Sequence, residues 1–279
     1  MQNIKTALAA AVEKLTHTSP SAELDGEVLL SFVLGKDRAW LYAHGDEELR
    51  EDEINRFEAA VAQRAAGTPV AHLTGTKEFY GRPFHVTPDV LIPRPATEEL
   101  VAVALQSIRT HVYDLIVDVG TGSGCIAVAL ACETSNVPII ATDISPKALA
   151  VASKNAALYD VTKRIQFIEG DLLSYTLLRG RMKVGDSILV VSNLPYLPSK
   201  TITDELLHEP RLALDGGLYG GELYRRLDQQ LEELSRQRGV TVTLISERLA
   251  YSKNMSVPSF TISTQTFPGA KEISSPVSV

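Results

Sequence analysis

The sequence is poor in cysteine and has no long apolar run. Its two cysteines, Cys125 and Cys132, are too few for a disulfide framework and fit a reducing compartment. No segment approaches the roughly 20 apolar residues that a membrane-spanning helix needs. The N-terminal segment also lacks the apolar centre of a signal peptide. We therefore expect a cytoplasmic protein.

Positive charge is also scarce. The 279 residues include 27 lysines and arginines against 34 aspartates and glutamates, a net charge of -7. This balance argues against a protein that wraps around bare nucleic acid. The six histidines are scattered, with no i,i+4 pair and no cysteine partner, so no metal site is predicted. Hydrophobic residues make up 44% of the chain, enough for one large core or two smaller ones.

The pattern of apolar residues divides the chain into three segments. Residues 1–73 show helical spacing without strand alternation, which predicts a small N-terminal helical bundle. Residues 74–95 are rich in glycine, proline and aromatic residues, which predicts a β-hairpin and an extended linker. Residues 96–279 alternate helix and strand patterns, which predicts a Rossmann-like α/β domain whose mostly parallel sheet is covered on both faces. The pattern degrades after Leu249, so we expect a frayed tail over 272–279.

A glycine-rich turn follows the first predicted strand of the α/β segment. The run Leu115–Val119 contains one polar residue, Asp118, and leads into Gly120-Thr121-Gly122-Ser123-Gly124 and then a helix. In an open α/β sheet such a turn lies where ligands bind, and its glycines let a ligand approach the backbone. The turn lacks the lysine of a phosphate-binding P-loop. Its third glycine comes one residue too early for a dinucleotide fingerprint.

The remaining pattern, acidic-x-G-x-G-x-G, resembles the first motif of class I methyltransferases, which bind S-adenosylmethionine. Asp143 ends the next predicted strand, where a carboxylate can accept both ribose hydroxyls of an adenosyl group. Asp171 and Leu172 follow the third strand, and the same resemblance implies that they lie at the adenine ring. A structural turn with a capping aspartate is the alternative interpretation.

A second motif follows the predicted strand Ser187–Ser192. It is the tetrapeptide Asn193-Leu194-Pro195-Tyr196, of the form [N/D]-x-P-[Y/F/W], next to the predicted donor site. If the Asn193 side-chain oxygen and the Leu194 carbonyl each accept one N–H, a planar nitrogen is held in line for methyl transfer. Pro195 would stiffen this loop, Tyr196 would offer a flat face, and Asn193 would also border the donor. An ordinary Asn-Pro turn is the competing interpretation.

These motifs together resemble the protein-(glutamine-N5) methyltransferases that modify the Gly-Gly-Gln loop of peptide chain release factors. The resemblance covers roughly residues 20–247, with matches at 69–75, 78–81, 91–95, 97–98, 118–124, 143–146, 193–196, 209–211, 213–217 and 224–226. It implies a class I methyltransferase fold, S-adenosylmethionine as cofactor and a release factor as partner. It further implies that the helical domain and hairpin grip the release factor, that the Asn193 loop receives the glutamine, and that 209–217 borders the substrate channel. We expect a monomer.

The chain departs from that family at Leu194, where the family usually has proline, and at Ala96, where it usually has an acidic residue. The segment after Glu247 is short and polar and lacks the family's usual closing strand, so we expect a degenerate last hairpin. Asn-Leu-Pro-Tyr is similar to the acceptor motif of the rRNA adenine-N6 dimethyltransferases. An N6-adenine methyltransferase acting on RNA or DNA is therefore the enzymatic alternative. A weakened scaffold that binds the donor or a release factor without turnover is the alternative from another class.

Overall fold

The computed structural model describes residues 2–135, 137–173, 178, 180–203, 206, 208–250 and 259–268. The chain divides into two compact units, Met1–Thr76 and Lys77–Val279. None of the helices in these described ranges combines the length and apolar character of a bilayer span. The predicted tail at 272–279 lies outside the described residues.

The first unit is helical. Its helices are α1 (Ile4–Leu15), α2 (Ala22–Leu34), α3 (Arg38–Ala43), α4 (Glu51–Ala65) and α5 (Val70–Thr74). A capping box starts α1, since the Asn3 side chain accepts the Thr6 N–H and the Thr6 hydroxyl accepts the Asn3 N–H. The apolar faces of the helices share one core that includes Leu15, Leu29 and Phe57.

A β-hairpin opens the second unit. Strands β1 (Thr76–Phe79) and β2 (Arg82–His85) are joined by Tyr80 and Gly81, whose φ angles are 52° and 69°. Positive φ at both turn residues matches the right-handed twist of the strands. Phe79 and Phe84 are fully buried in the core of this unit, so the hairpin is part of its packing.

The remaining elements alternate as the sequence predicts. They are α6 (Pro95–Thr110), β3 (Leu115–Val119), α7 (Cys125–Glu133), β4 (Ile139–Asp143), α8 (Pro146–Leu158), β5 (Ile165–Glu169), β6 (Ser187–Ser192), α9 (Glu222–Arg238), β7 (Thr241–Ala250) and β8 (Ser259–Phe267). The strand order is β5-β4-β3-β6-β7-β8. All neighbours are parallel except β7 and β8. This is the Rossmann-like class I methyltransferase fold.

Two apolar clusters cover the two faces of the sheet. The first joins Ile116 and Leu189 to side chains of α6, α7 and α8. The second joins Val117 and Val190 to α9. Alternate strand residues point to opposite faces, so helical cover on both sides makes the central strands apolar throughout.

The expectation of a degenerate last hairpin is wrong. Strands β7 and β8 pair from Val242 opposite Phe267 to Ala250 opposite Ser259. An edge strand pairs through its backbone on one side only and needs few apolar side chains. The run Ser259–Phe267 contains three threonines, which favour extended backbone.

The strand order creates a switch point beside β3. The chain passes from β3 outward to β4 and β5, then returns to place β6 on the other side of β3. Loops that leave the carboxyl ends of β3 and β6 therefore diverge and leave a crevice between them.

Candidate active site

A cleft with about 1250 Å³ of empty space lies at the carboxyl ends of β3, β4 and β6. Nearly all of the site residues predicted from the sequence line it: Gly120, Thr121, Gly122, Ser123, Asp143, Asp171, Leu172, Asn193, Leu194 and Pro195. Gly124 and Tyr196 do not line it. The two motifs begin at Gly120 and Asn193, 73 residues apart in the sequence, and the fold brings them to one cleft.

Asp118 holds the glycine turn from below. Its carboxylate accepts the Thr121 hydroxyl at 2.6 Å and the Ala127 N–H at 3.1 Å. The side chain is fully buried, and its other oxygen has no hydrogen-bond partner among the described residues. Burial raises the pKa of Asp118 to about 7. Asp118 therefore shapes the turn from the core and is absent from the cleft wall.

The three glycines of the turn have different surroundings. All have positive φ, 75° at Gly120, 55° at Gly122 and 79° at Gly124. A Cβ at Gly120 would lie 2.9 Å from the Leu194 side chain, and one at Gly124 would lie 2.9 Å from Ala152 in α8. A Cβ at Gly122 would meet nothing within 4 Å and would project into open space. Gly124 thus permits close helix packing, whereas Gly122 leaves room beside the backbone.

Asp143 ties the turn to the next helix. Its carboxylate accepts the Gly122 N–H at 2.8 Å and the Ser145 N–H at 2.9 Å. Ser145 in turn caps α8 by accepting the Ala148 N–H at 3.2 Å. Burial raises the pKa of Asp143. Each carboxylate oxygen keeps a further lone pair that can accept a ligand hydroxyl.

Asp171 and Leu172 form another wall of the cleft. Leu172 has a φ of 57°, and its carbonyl accepts the Thr142 hydroxyl at 3.2 Å. The Asp171 carboxylate pairs with Arg226 of α9 at 2.5 Å, and both side chains are about half exposed. A charged pair therefore borders this side of the cleft, next to the apolar Leu172 side chain.

The Asn193 side chain is held by α6. Its Nδ2 donates to the Thr97 hydroxyl at 2.9 Å, and the Thr97 hydroxyl donates to the buried Glu247 carboxylate at 3.4 Å. With Nδ2 engaged in this way, the Oδ1 atom of Asn193 is the one available to a ligand in the cleft. Thr97 and Glu247 are both buried.

The backbone of Leu194 is held by α9. Its N–H donates to the Tyr224 hydroxyl at 2.9 Å, and Tyr224 donates to the Glu247 carbonyl at 2.5 Å. Proline has no N–H, so this bond is possible only because the chain has leucine there. The Leu194 side chain is buried against Gly120. Leucine at this position thus provides a hydrogen bond to the core that a proline could not.

A second glycine-rich segment encloses Pro195 and Tyr196. A Cβ at Gly216 would lie 2.7 Å from the Pro195 carbonyl, and one at Gly220 would lie 2.2 Å from the Tyr196 carbonyl. Backbone bonds join Leu197 to this segment, with its carbonyl accepting the Gly216 N–H at 2.8 Å. Burial raises the pKa of Tyr196, so its phenol stays neutral. The loop Asn193–Tyr196 is therefore fixed on both sides.

The linker before α6 is anchored by Glu209. The Glu209 carboxylate accepts the Ile92 N–H at 2.7 Å and a bond from the Arg94 guanidinium. Arg94 lines the cleft together with Pro210. The segments before α6 and after β6 thus meet at one buried carboxylate.

Sequence reasoning missed Asn155. This fully buried residue of α8 donates to the carbonyls of His85 and Ser123 and accepts the His85 N–H, all within 2.9 Å. It therefore joins the hairpin to the glycine turn. Its signal was present in the sequence: an amide on the apolar stripe of α8 that includes Val151 and Ala152.

The roles of Thr97 and Glu247 were also missed. Glu247 follows the apolar run of β7, as Asp143 follows that of β4, but the sequence pattern assigned no strand there. Thr97 lies in the first turn of α6 and within the run that carries the family resemblance, but the sequence alone assigned it no role. Within the described ranges, no group of three or more His, Cys, Asp or Glu residues is placed to hold a metal ion.

The residues of the cleft fit an adenosyl group attached to a small amino acid. The open space above Gly122 leaves room for a ligand close to the backbone. Asp143 offers acceptors for ribose hydroxyls, and the turn holds no basic side chain for a phosphate. The Leu172 and Ile144 side chains add apolar surface for a planar ring. These residues could hold S-adenosylmethionine.

The comparisons with known proteins point to one family. Residues 6–75 match the family model described as PrmC N-terminal domain, and residues 116–211 match that described as Methyltransferase domain. A release factor glutamine methyltransferase of Koribacter versatilis is 40% identical over 82% of this chain and 81% of its own length. Those of Moorella thermoacetica and Bacillus subtilis are 40% and 38% identical, over 80% and 83% of this chain and 78% and 81% of their own.

The fold, the cleft and these matches agree. The chain is an S-adenosylmethionine-dependent methyltransferase, with the glycine turn and the Asn193 loop at the same cleft. Its relatives match across both units rather than in the methyltransferase domain alone. The chain belongs to the release factor glutamine methyltransferase family.

Proposed function

We propose that this chain transfers a methyl group from S-adenosylmethionine to the side-chain amide nitrogen of the glutamine in the Gly-Gly-Gln loop of a peptide chain release factor. The observation that carries this proposal is the common cleft. Asn193 and Leu194 line it together with Gly122 and Asp143. An amide bound at the first pair would therefore lie beside a donor bound at the second.

The donor site would be formed by the glycine turn, with Asp143 accepting the ribose hydroxyls and Asp171 and Leu172 bordering the adenine. When bound, the donor supplies an electrophilic methyl group on a sulfonium sulfur. Asn193 also borders this site, while its side chain would bind the acceptor.

The acceptor site addresses the weak nucleophilicity of an amide nitrogen, whose lone pair is delocalised. Asn193 Oδ1 and the Leu194 carbonyl would each accept one N–H and so fix the plane of the amide. The same two dipoles would stabilise the positive charge that develops on the nitrogen. Pro195 would restrict the loop, and Tyr196 would face the planar group. No general base is needed beforehand, because the proton becomes acidic only after transfer.

The charges around the cleft favour a protein acceptor over adenine in RNA or DNA. Three arginines near the cleft each pair with a carboxylate: Arg94 with Glu209, Arg211 with Asp215, and Arg226 with Asp171. A nucleic-acid substrate would need cations available to its phosphates. Paired arginines offer little such binding.

The anchoring of Leu194 favours an active enzyme over a weakened scaffold. Its N–H is bonded to Tyr224, and its side chain is buried, so its carbonyl belongs to a fixed backbone. Replacing proline at this position therefore does not free the loop.

The test is incubation with labelled donor and a purified release factor, with a second sample in which the Gly-Gly-Gln glutamine is replaced by alanine. We expect label on the glutamine of the first sample and none on the second. Label that persists on the replaced protein would overturn the glutamine assignment. Label on RNA or DNA, but not on the release factor, would establish the adenine alternative.

The variant Asn193→Ala tests the acceptor site directly. We expect turnover to fall by roughly 100-fold or more, as when one transition-state hydrogen bond is removed, while calorimetric donor affinity stays nearly unchanged. Donor binding by the wild-type chain without any transfer to the release factor would favour the scaffold.

We also propose that the helical segment 1–73, with the hairpin and linker at 74–95, binds the release factor while 96–279 carries the reaction. The match to the PrmC N-terminal domain supports a role for the helices shared with the family. We propose a cytoplasmic monomer. Deletion of 1–73 should then raise the KM for the release factor while leaving donor affinity unchanged.

A further inference from the structure

Asn193 and Leu194, the two residues that would supply the hydrogen-bond acceptors for the substrate amide, are both connected to Glu247. Asn193 reaches the Glu247 side chain through the Thr97 hydroxyl, at 2.9 Å and 3.4 Å. Leu194 reaches the Glu247 backbone carbonyl through the Tyr224 hydroxyl, at 2.9 Å and 2.5 Å. The connection follows from the sheet, since Ser192 of β6 pairs with Ser246 of β7 and the next residues are Asn193 and Glu247.

The direction of each hydrogen bond decides which atom of Asn193 faces the cleft. An asparagine side chain can present either its oxygen or its NH2 group, because the two have nearly the same shape. A threonine hydroxyl has one proton to donate. When that proton goes to Glu247, only lone pairs remain for Asn193, which must then turn its NH2 group towards Thr97.

We infer that Glu247 and Thr97 are positioning residues that keep Asn193 Oδ1 turned towards the substrate amide, while Tyr224 anchors the backbone of Leu194 through its N–H. The inference rests on the proposed function, because it assigns these residues to the two acceptors of that reaction. Because Thr97 donates its single proton to the Glu247 carboxylate, that bond sets the direction of the hydrogen bonds from Glu247 through Thr97 to Asn193. A reversed Asn193 would present N–H groups to a substrate that also has N–H groups.

The residues that hold Asn193 and Leu194 are buried, so each hydrogen bond depends on its particular partner. Thr97 is 3% exposed, Glu247 4% and Tyr224 5%. Water has little access to these groups, so it cannot readily replace a missing partner. A buried polar group that loses its partner keeps most of the desolvation penalty.

Thr97→Val and Thr97→Ser form the critical pair of variants. Valine keeps the shape of threonine but removes the hydroxyl, and serine keeps the hydroxyl. We expect Thr97→Val to lower kcat by roughly 10- to 100-fold, comparable to a misplacement of the catalytic group, with the KM for the donor unchanged. Thr97→Ser should stay within about threefold of the wild type, since it retains the hydrogen bonds.

Glu247→Gln tests the direction of the relay. Glutamine can donate as well as accept, so Thr97 would no longer be forced to accept from Asn193. We expect a fall in kcat of about tenfold. Because Glu247 acts on Asn193 through Thr97, Glu247→Gln should cause little further loss in the Thr97→Val background. Additive losses would contradict the relay.

Tyr224→Phe tests the second arm in the same way. It should lower kcat by about tenfold by leaving the Leu194 N–H without its acceptor. In a Leu194→Pro background, which has no N–H to hold, the same change should have a much smaller effect. Equal losses in both backgrounds would refute the arm through Tyr224.

Nuclear magnetic resonance of the Asn193 side-chain amide provides a readout that does not depend on the substrate. In the wild type its two protons should exchange with solvent at different rates, because the hydrogen bond to Thr97 protects one of them. Thr97→Val should abolish that protection, and Thr97→Ser should retain it. Unchanged protection in Thr97→Val would overturn the inference.

The kinetic and spectroscopic results also distinguish a failure of the positioning network from a failure of the proposed function. If the release factor is methylated normally by Thr97→Val, the positioning network is refuted and the proposed function stands. If the wild type methylates no glutamine, the proposed function fails. The exchange measurement then still decides whether Thr97 orients Asn193.

Discussion

Gly122 and Gly124 allow stability and donor binding to be perturbed separately within one turn. Both have positive φ, 55° and 79°, so alanine at either position carries the strain of a left-handed backbone. That strain is roughly 1–2 kcal/mol. Only Gly124 lies against a neighbour, since its Cβ would come within 2.9 Å of the Ala152 Cβ and 3.0 Å of the Ala152 Cα.

The additional contact should separate the two variants in stability. Overpacking of a well-packed core destabilises by about 1–3 kcal/mol. Gly124→Ala should therefore lose roughly 2–5 kcal/mol of unfolding free energy, and Gly122→Ala only about 1–2 kcal/mol. In a domain of this size each kcal/mol lowers Tm by about 2–4 °C.

Donor binding should show the opposite order. The methyl group of Gly122→Ala enters open space where we place the donor, so donor affinity should fall by about tenfold or more, equivalent to about 1.4 kcal/mol. Folded Gly124→Ala should bind the donor with nearly wild-type affinity. Urea unfolding and calorimetry measure the two effects. Equal stability losses, or wild-type donor affinity in Gly122→Ala, would refute this reasoning.

Three further perturbations test the frame of the site. Between pH 3.8 and about 7 the folded Asp118 carboxyl keeps a proton that the unfolded one has released, so raising the pH favours unfolding. Across that window this one group should lower the free energy of unfolding by on the order of 4 kcal/mol, with no further loss above it. In Asp118→Asn, urea titrations should no longer show this decrease with pH. A pH dependence of stability parallel to that of the wild type would contradict the buried carboxyl. Asp143→Ala should weaken donor binding, measured by calorimetry, by roughly 10- to 100-fold, while kcat at saturating donor changes little. A large fall in kcat with unchanged donor affinity would instead place Asp143 in the acceptor chemistry. Asn155→Ala should lower the free energy of unfolding by about 3 kcal/mol because it leaves buried backbone groups of His85 and Ser123 without partners, and an unchanged urea midpoint would show that water replaces them.

The fold was predictable wherever local pattern and tertiary packing favour the same element. The strands Leu115–Val119 and Ser187–Ser192 are short apolar runs, and the fold buries both of their faces. Ser145 and Pro146 mark the start of α8 because they satisfy local capping requirements. The strand β8 was missed because an edge strand is stabilised by backbone pairing with β7, which side-chain periodicity does not reveal.

The same division applies to the site. The order of residues alone identified the glycine turn, Asp143 and the Asn193 loop, because a ligand-binding backbone needs particular residue types in sequence. Tertiary structure decided which atoms meet. It placed Gly124 against α8, whereas Gly122 faces open space, a difference that identical residues cannot show in a sequence.

Long-range hydrogen bonds were likewise decided only by the fold. Glu247 lies 54 residues after Asn193 in the sequence. The two are connected through Thr97, which lies much earlier in the chain. Such partners carry no periodic signal, because each bond depends on the register of two strands and the position of one helix. The sequence by itself therefore identified the two motifs for which we propose donor and acceptor roles. Only the tertiary structure determined how their polar atoms are oriented, because burial removes the water that would otherwise satisfy them.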